Sequence, residues 1–298
     1  MDKTGIPQSP SRAPASDPSQ AASAQERLRE ARCLLFVPGD RPDRFGRAFG
    51  SRADIVILDL EASIAPPRKA PARVEVAAAL ARSATTVALV VRVNPVRSED
   101  FALDAAMLRE YRCEGVLLPM VESAADVACC RRLLPDGLPL IALVETAGGI
   151  AAANEIARAD GIVRLAFGNM DYQTDTSTSG PLAMVFPSSA LVIASRAAGL
   201  PAPISGVTSA FRDGPQLERD LSFEQSLGFG AKLCIHPDQI APILTAFSVS
   251  PSMLLWAERV LAVASDSHAV ELDGELVDRP VIDRAQRLIA RSRRAQIG

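Results

Sequence analysis

Eight short apolar runs, alternating with stretches of helical pattern, constrain the fold of this chain more than any other feature. They fall at 33–38 (CLLFVP), 54–61 (DIVILDLE), 86–94 (TVALVVRVN) and 114–121 (EGVLLPMV). The series continues at 138–145 (LPLIALVE), 161–167 (GIVRLAF), 203–208 (PISGVT) and 231–236 (AKLCIH). Most are apolar throughout rather than alternating, the pattern of parallel strands buried on both faces. Between them, 71–81 and 100–110 carry helical spacing, and Ser123 predicts an N-cap for the helix after the fourth run. Eight strands each followed by a helix predict a (β/α)8 TIM barrel. A doubly wound open sheet fits the same alternation, because alternation does not reveal closure.

Beyond about residue 250 the pattern changes. Trp256 to Ser265 reads as a helix, Val270 to Asp278 as a hairpin turning at Asp273-Gly274, and 281–295 as a final basic helix. This C-terminal hairpin-helix segment looks too small to bury a core alone. The first 30 residues, rich in Pro, Ser, Ala and Gln, read as a disordered tail. The expected division is therefore a tail over 1–30, a barrel over 31–260 and a lid or oligomerisation segment over 261–298.

Composition excludes several classes. Hydrophobic residues at 48% are enough for a large core, whereas aromatics at 4% argue against base-stacking surfaces. A net charge of -3 without a basic stripe argues against a nucleic-acid partner. No uninterrupted apolar run approaches the ~18 residues of a membrane span. Five cysteines, an odd number without CxxC spacing, disfavour zinc and a disulfide framework and suggest a cytoplasmic protein.

Polar residues gather where the runs end. Glu145 closes the fifth run before Thr146-Ala-Gly-Gly149, and Asp171 follows the sixth after Gly168-Asn-Met170. A lone carboxylate after a strand is most often an N-cap. Two of them, on consecutive strands beside glycines, suit a hard cation such as Mg²⁺, with Mn²⁺ an alternative. Arg92, inside an apolar strand, needs a carboxylate partner from the protein or from a substrate. Arg73, on a helix, reads by itself as a surface charge, and His236 equally as a satisfied buried histidine. Backbone N–H groups around Gly148 and Gly149 could hold a carboxylate at a helix start.

These motifs resemble a known family. Leu35-Phe-Val-Pro-Gly39, Asp59-Leu-Glu61, Lys69-Ala-Pro-Ala-Arg73 and Val91-Arg-Val-Asn94 belong to the pattern. So do Val144-Glu-Thr146, Phe167-Gly-Asn-Met-Asp171, Ile235-His-Pro237 and Val277-Asp-Arg-Pro280. Together, from about Leu34 to Ala290, the chain resembles the citrate lyase beta-subunit and malyl-CoA lyase group of the HpcH/HpaI aldolases. The resemblance implies a Mg²⁺-dependent carbon–carbon lyase (EC 4.1.3-type) converting a hydroxyacyl-CoA thioester to a keto acid and an acyl-CoA. It implies a homo-oligomer, trimer or hexamer, with Mg²⁺ on Glu145 and Asp171. Arg73, Glu61 and Asp278 become the candidate catalytic residues, Asp278 through a segment closing over a neighbour's site. Arg73, Arg92, Glu145, Gly148 and Gly149 become the candidate substrate contacts. Departures are Ala62 in place of a second acidic residue, Ser205 in place of an Asp, and no Gly after Asp171. The alternatives are a metal-dependent pyruvate aldolase without CoA, a non-catalytic scaffold or sensor, and a barrel with other chemistry.

Overall fold

In a computed structural model of the protein, residues 18–82, 85–264, 270–272 and 274–294 are described. Residues 1–17, His268 and the expected turn residue Asp273 lie outside them.

The eight strands are β1 (Cys33–Pro38), β2 (Ile55–Asp59), β3 (Ala88–Arg92), β4 (Gly115–Leu118), β5 (Leu140–Val144), β6 (Ile162–Phe167), β7 (Ile204–Ser205) and β8 (Ala231–Cys234). They form a closed barrel in sequence order, and the parallel pairing of Cys33–Leu35 with Lys232–Cys234 seals it. The fold is the expected (β/α)8 barrel, and the open sheet is excluded. Inward-facing Leu34, Ile57, Val90, Leu117, Ile141 and Leu233 fill its interior. That leaves chemistry to the strand ends.

Around the barrel run α1 (Pro18–Glu30), α2 (Pro42–Phe49), α3 (Lys69–Arg82), α4 (Glu99–Glu110), α5 (Ala124–Leu133), α6 (Ala147–Ala151), α7 (Ala153–Ala157), α8 (Asn169–Thr176), α9 (Pro181–Ala197), α10 (Gly214–Leu227) and α11 (Ile240–Ala246). Ser123 caps α5 as expected, its hydroxyl accepting from Asp126 N–H.

The tail expectation is corrected at Pro18. From there to Glu30 the chain is α1, and Leu28 is fully buried. Gly115 makes the room: a Cβ there would fall 2.4 Å from Leu28 Cδ2. Arg164 of β6 donates to the carbonyls of Leu28 and Ala31, satisfying the end of α1. One buried leucine and one buried arginine thus outweigh a polar composition.

The chain divides into two compact units after Leu244, not at 260. The second holds α12 (Pro251–Val263), the antiparallel hairpin β9 (Val270–Leu272) and β10 (Glu275–Val277), and α13 (Arg279–Arg294). It has a small core after all: Ala257 and Val260 of α12 are buried with Val277 and Ala285. This is why α12 separates from the barrel. By length and composition Pro237–Val263 could cross a membrane, but α11 and α12 break it between Phe247 and Ser250.

Candidate active site

Arg92 ends β3 opposite Asp59, its register partner at the end of β2. Its Nε and Nη2 donate to the two Asp59 oxygens at 2.6 and 2.7 Å, and its Nη1 lies 3.2 Å from Glu61 Oε2. The guanidinium also sits 4.6 Å from the centroid of the Phe36 ring. Asp59 is 1% exposed and accepts from the N–H groups of Glu61 and Ser63 and from the Ser63 hydroxyl. That turn folds Glu61 back towards Arg92. Burial works to raise the Asp59 carboxyl, but the Arg92 fork and Ser63 hold it below the usual range.

Glu145, 3% exposed, follows β5. Met120 N–H donates to its Oε1 at 2.8 Å, and Met120 takes a left-handed φ of 53° beside it. Gly168 presses against the same carboxylate; a Cβ there would fall 2.3 Å from Oε2. Burial, with the charges of Asp171 and Glu61, pushes the Glu145 carboxyl up to about 8, against the Met120 bond and Arg92. Asp171 is exposed in the first turn of α8. Burial likewise raises the Glu61 carboxyl, opposed by Arg92 and reinforced by Asp59 and Asp171. Glu61, Arg92, Glu145 and Asp171 therefore form one electrostatic cluster.

Among the described residues no set of three or more His, Cys, Asp or Glu converges as a metal-ligand group. The expected donors, Glu145 and Asp171, are two carboxylates. That fits Mg²⁺, which usually takes one or two carboxylates and completes its shell with water or substrate oxygens. The raised Glu145 carboxyl fits too, since neighbouring buried carboxylates stay charged more readily beside a cation.

Three of the expected site residues hold hydrogen bonds or close contacts within the chain itself. Arg73 lies on α3 and turns to α4, where its Nη1 donates to Asp100 at 2.8 Å and Asp104 at 3.1 Å. A guanidinium held by two carboxylates of a neighbouring helix ties α3 to α4. Around Gly148 and Gly149, the expected carboxylate cradle is largely taken by the chain itself. Ala147 N–H donates to Asp175 and Gly149 N–H to Thr146 Oγ1. A Cβ at Gly149 would fall 2.6 Å from Val121 O, so close packing explains that glycine. Asp278 lies in the C-terminal unit, where its carboxylate accepts from Val281 N–H at the start of α13.

Sequence reasoning assigned no role to the groups that brace this cluster. Lys69 Nζ donates to Leu60 O, Glu61 O and Asn94 Oδ1, and Asn94 donates twice to fully buried Asp104, which also takes Arg73. Arg73 thus braces the ends of β2 and β3 from behind. Thr146 Oγ1 donates to Glu122 Oε1 at 2.8 Å. Lysine, asparagine and a mid-helix aspartate carry no spacing signal for such a relay. At Ser205, Glu224 supplies the nearby carboxylate: it accepts from Ser205 Oγ and from fully buried Lys232.

The family described as HpcH/HpaI aldolase/citrate lyase matches residues 32–237. The chain belongs to that family. A relative in Mycobacterium tuberculosis, citrate lyase subunit beta-like protein, is 35% identical over 267 residues, covering 87% of this chain and 94% of its own. A (3S)-malyl-CoA thioesterase of Cereibacter sphaeroides is 31% identical over 274 residues, covering 88% and 94%. A crystal structure of the Mycobacterium tuberculosis protein CitE in complex with magnesium, acetoacetate and coenzyme A superposes with a TM-score of 0.76. It shares 34% identity and covers 89% of this chain and 99% of that one. The family match takes in Glu61, Arg92, Glu145 and Asp171 and ends before Asp278.

Proposed function

We propose that the protein is a Mg²⁺-dependent carbon–carbon lyase that interconverts a hydroxyacyl-CoA thioester with a keto acid and an acyl-CoA. The observation that carries this reading is the cluster of Glu61, Arg92, Glu145 and Asp171 at one end of the barrel. Relatives named for citrate lyase and malyl-CoA, and the coenzyme A complex of CitE, support the substrate class.

Glu145 and Asp171 would hold the ion. When bound, Mg²⁺ supplies Lewis-acid polarisation of the keto-acid oxygens, worth several kcal/mol. The chain's own groups account for the rest. Glu61, with its raised carboxyl, accepts the proton of the substrate hydroxyl. The carbon–carbon bond breaks and its electron pair becomes the enolate of the acyl thioester. Arg92, locked by Asp59 and already beside Glu61, offers fixed positive charge to that oxygen. Its reorganisation is small because Asp59 holds two of its nitrogens. Reprotonation of the acyl carbon falls to Asp278 in a homo-oligomer, trimer or hexamer, whose C-terminal segment closes over a neighbour's site. That assignment is supported by the Val277-Asp-Arg-Pro280 motif. A cytoplasmic location belongs to the same reading.

The test is a product assay. Purified protein with Mg²⁺ is incubated with malyl-, citramalyl- and citryl-CoA. The expected products are a keto acid and an acyl-CoA in equal amounts. Free CoA with the intact hydroxy acid would instead make it a thioesterase, and no turnover of any thioester would remove the enzymatic reading.

A further inference from the structure

The shortest seam of the barrel lies beside Asp171. β7 is only Ile204–Ser205, and one registered pair, Ala166 with Ile204, joins it to β6. Beyond that pair a side chain continues the seam. Asn169, the first residue of α8, accepts from Val207 N–H at 3.0 Å through Oδ1 and donates to Val207 O at 3.1 Å through Nδ2. The amide thus stands in for a strand residue, bonding both backbone groups of Val207. Gly206 permits the approach, since a Cβ there would collide with Asn169 Oδ1.

The β7 side of this clamp is anchored. Val207 packs against the barrel core. Gly206 O accepts from Nζ of fully buried Lys232 at 2.9 Å. Glu224 holds that ammonium with one oxygen and takes the Ser205 hydroxyl with the other at 2.7 Å. A buried ammonium–carboxylate pair resists displacement, because breaking it would leave a charge uncompensated in the core. Thr208, next in the chain, is tied to Gln239 through its carbonyl and to Asp220 through its hydroxyl. The α8 side is held differently. Its N-cap is Gly168, which offers no side chain. Asp171 is exposed in the first turn, so its carboxylate takes its place from the backbone of that turn. The turn is gripped twice, by Glu145 packed on Gly168 and by Val207 bonded to Asn169.

We propose that Asn169 is a positioning residue for Asp171, carrying the fixed place of the β7 end into the first turn of α8 and so setting where that carboxylate stands relative to Glu145. This rests on the reading that Glu145 and Asp171 hold the cation. Mg²⁺ demands near-ideal octahedral geometry, so a ligand that wanders lowers its affinity. A ligand on an exposed helix start would have to be ordered when the ion binds, at the expense of binding free energy. Asn169 orders it on folding instead. The neutral amide suits the task because it offers one acceptor and one donor to the two groups of Val207. An aspartate there would set a carboxylate oxygen against Val207 O. The Lys232–Glu224 pair is the anchor, Asn169 the arm and Asp171 the group that the arm places.

The test is Mn²⁺ titration of the full chain, read by the electron paramagnetic resonance of the free ion, beside thermal melts. Asn169→Ala is expected to weaken Mn²⁺ by about tenfold or more, the usual loss when a group that orients a metal ligand is removed. Gly206→Ala pushes the amide away without touching α8 and is expected to do the same. Asn169→Gln keeps the amide on a longer arm, so it is expected to fold and to bind Mn²⁺ several-fold more weakly; it decides the matter if an alanine variant does not fold. Leu28→Ala loosens the barrel from the N-terminal ends of the strands and is expected to leave Mn²⁺ affinity unchanged. A tenfold loss there would reduce the Asn169 effect to general destabilisation and overturn the proposal. Wild-type affinity in folded Asn169→Ala and Asn169→Gln, with Asp171→Asn losing the ion, would overturn it while leaving the cation site intact. Asp171→Asn protein that binds Mn²⁺ like the wild type would remove both the site and this role for Asn169.

Discussion

At the scale of single residues, two arginines separate by what they face. Arg92 is fixed by Asp59 and aimed at Glu61, whereas Arg73 is spent on Asp100 and Asp104. Lysine cannot reproduce the two-pronged bond to Asp59. Arg92→Lys is therefore expected to lower turnover of the thioester by about 100-fold or more, the order of losing one preorganised charge contact. Arg73→Lys keeps a cation between two carboxylates and is expected to keep turnover within a few-fold while lowering the melting temperature by a few degrees. Steady-state kinetics beside thermal melts decide the matter, and the reverse ranking would return Arg73 to the substrate. Glu145 supports a second expectation. In the metal-free protein its carboxyl, pushed up to about 8, holds a proton that must leave before a cation binds. Mg²⁺ affinity should rise by about tenfold per pH unit between pH 6 and 8 and level off above; a flat profile in Mn²⁺ titrations would contradict the two-carboxylate site. Much of this cluster was legible in the sequence. Carboxylates after largely apolar runs marked Glu145 and Asp171, and an arginine inside a strand demanded a partner, which parallel register supplies as Asp59. The pairing of Arg73 with Asp100 and Asp104 was not legible, because a helical position does not state which neighbour a long side chain meets. Asp104 escaped notice because a mid-helix aspartate reads as solvated until Asn94 and Arg73 are seen to bury it.

At the scale of elements, α1 shows how a polar segment earns its place through one side chain. Its composition is that of a tail, yet Leu28 lies against Gly115 and Arg164 holds its last carbonyls. Such a contact between the first helix and the barrel interior has no periodic signature, since a single leucine in 13 residues sets no pattern. Leu28→Ala is expected to cost about 2–5 kcal/mol, the usual range for a buried leucine in a well-packed place. Urea unfolding would measure it, and a loss under about 1 kcal/mol would mean that α1 contributes little to the barrel. The turn into α6 teaches the complementary lesson. Gly148 and Gly149 invited a ligand cradle, but Thr146 and Asp175 take the neighbouring N–H groups. Glycines in a tight strand-to-helix turn signal close approach of some group, and sequence alone does not say whether that group is a ligand or the protein's own backbone.

At the scale of the whole molecule, the count of eight runs predicted the barrel, but closure depends on β1 meeting β8 across some 200 residues, and no local pattern encodes that pairing. The boundary after Leu244 was equally hidden, because α12 is apolar enough to belong to either unit and only its contacts with α13 assign it. The function of that second unit is where the resemblance goes furthest beyond the geometry. Asp278 caps α13, and a capping carboxylate needs no catalytic explanation. A barrel mouth that makes an enolate does need a cover to exclude water. If the C-terminal unit of one subunit covers the site of the next, Asp278→Ala and Asp171→Asn are each inactive as pure oligomers but complement one another. Mixing them after partial dissociation is then expected to restore part of the thioester cleavage, because hybrid oligomers contain sites with Asp171 from one chain and Asp278 from another. Mass spectrometry of the mixture verifies that subunits have exchanged. Exchange without recovered activity would confine Asp278 to its capping role or to its own subunit's chemistry. An Asp278→Ala protein that keeps full activity, with only a lower melting temperature, would leave the cap as its whole purpose.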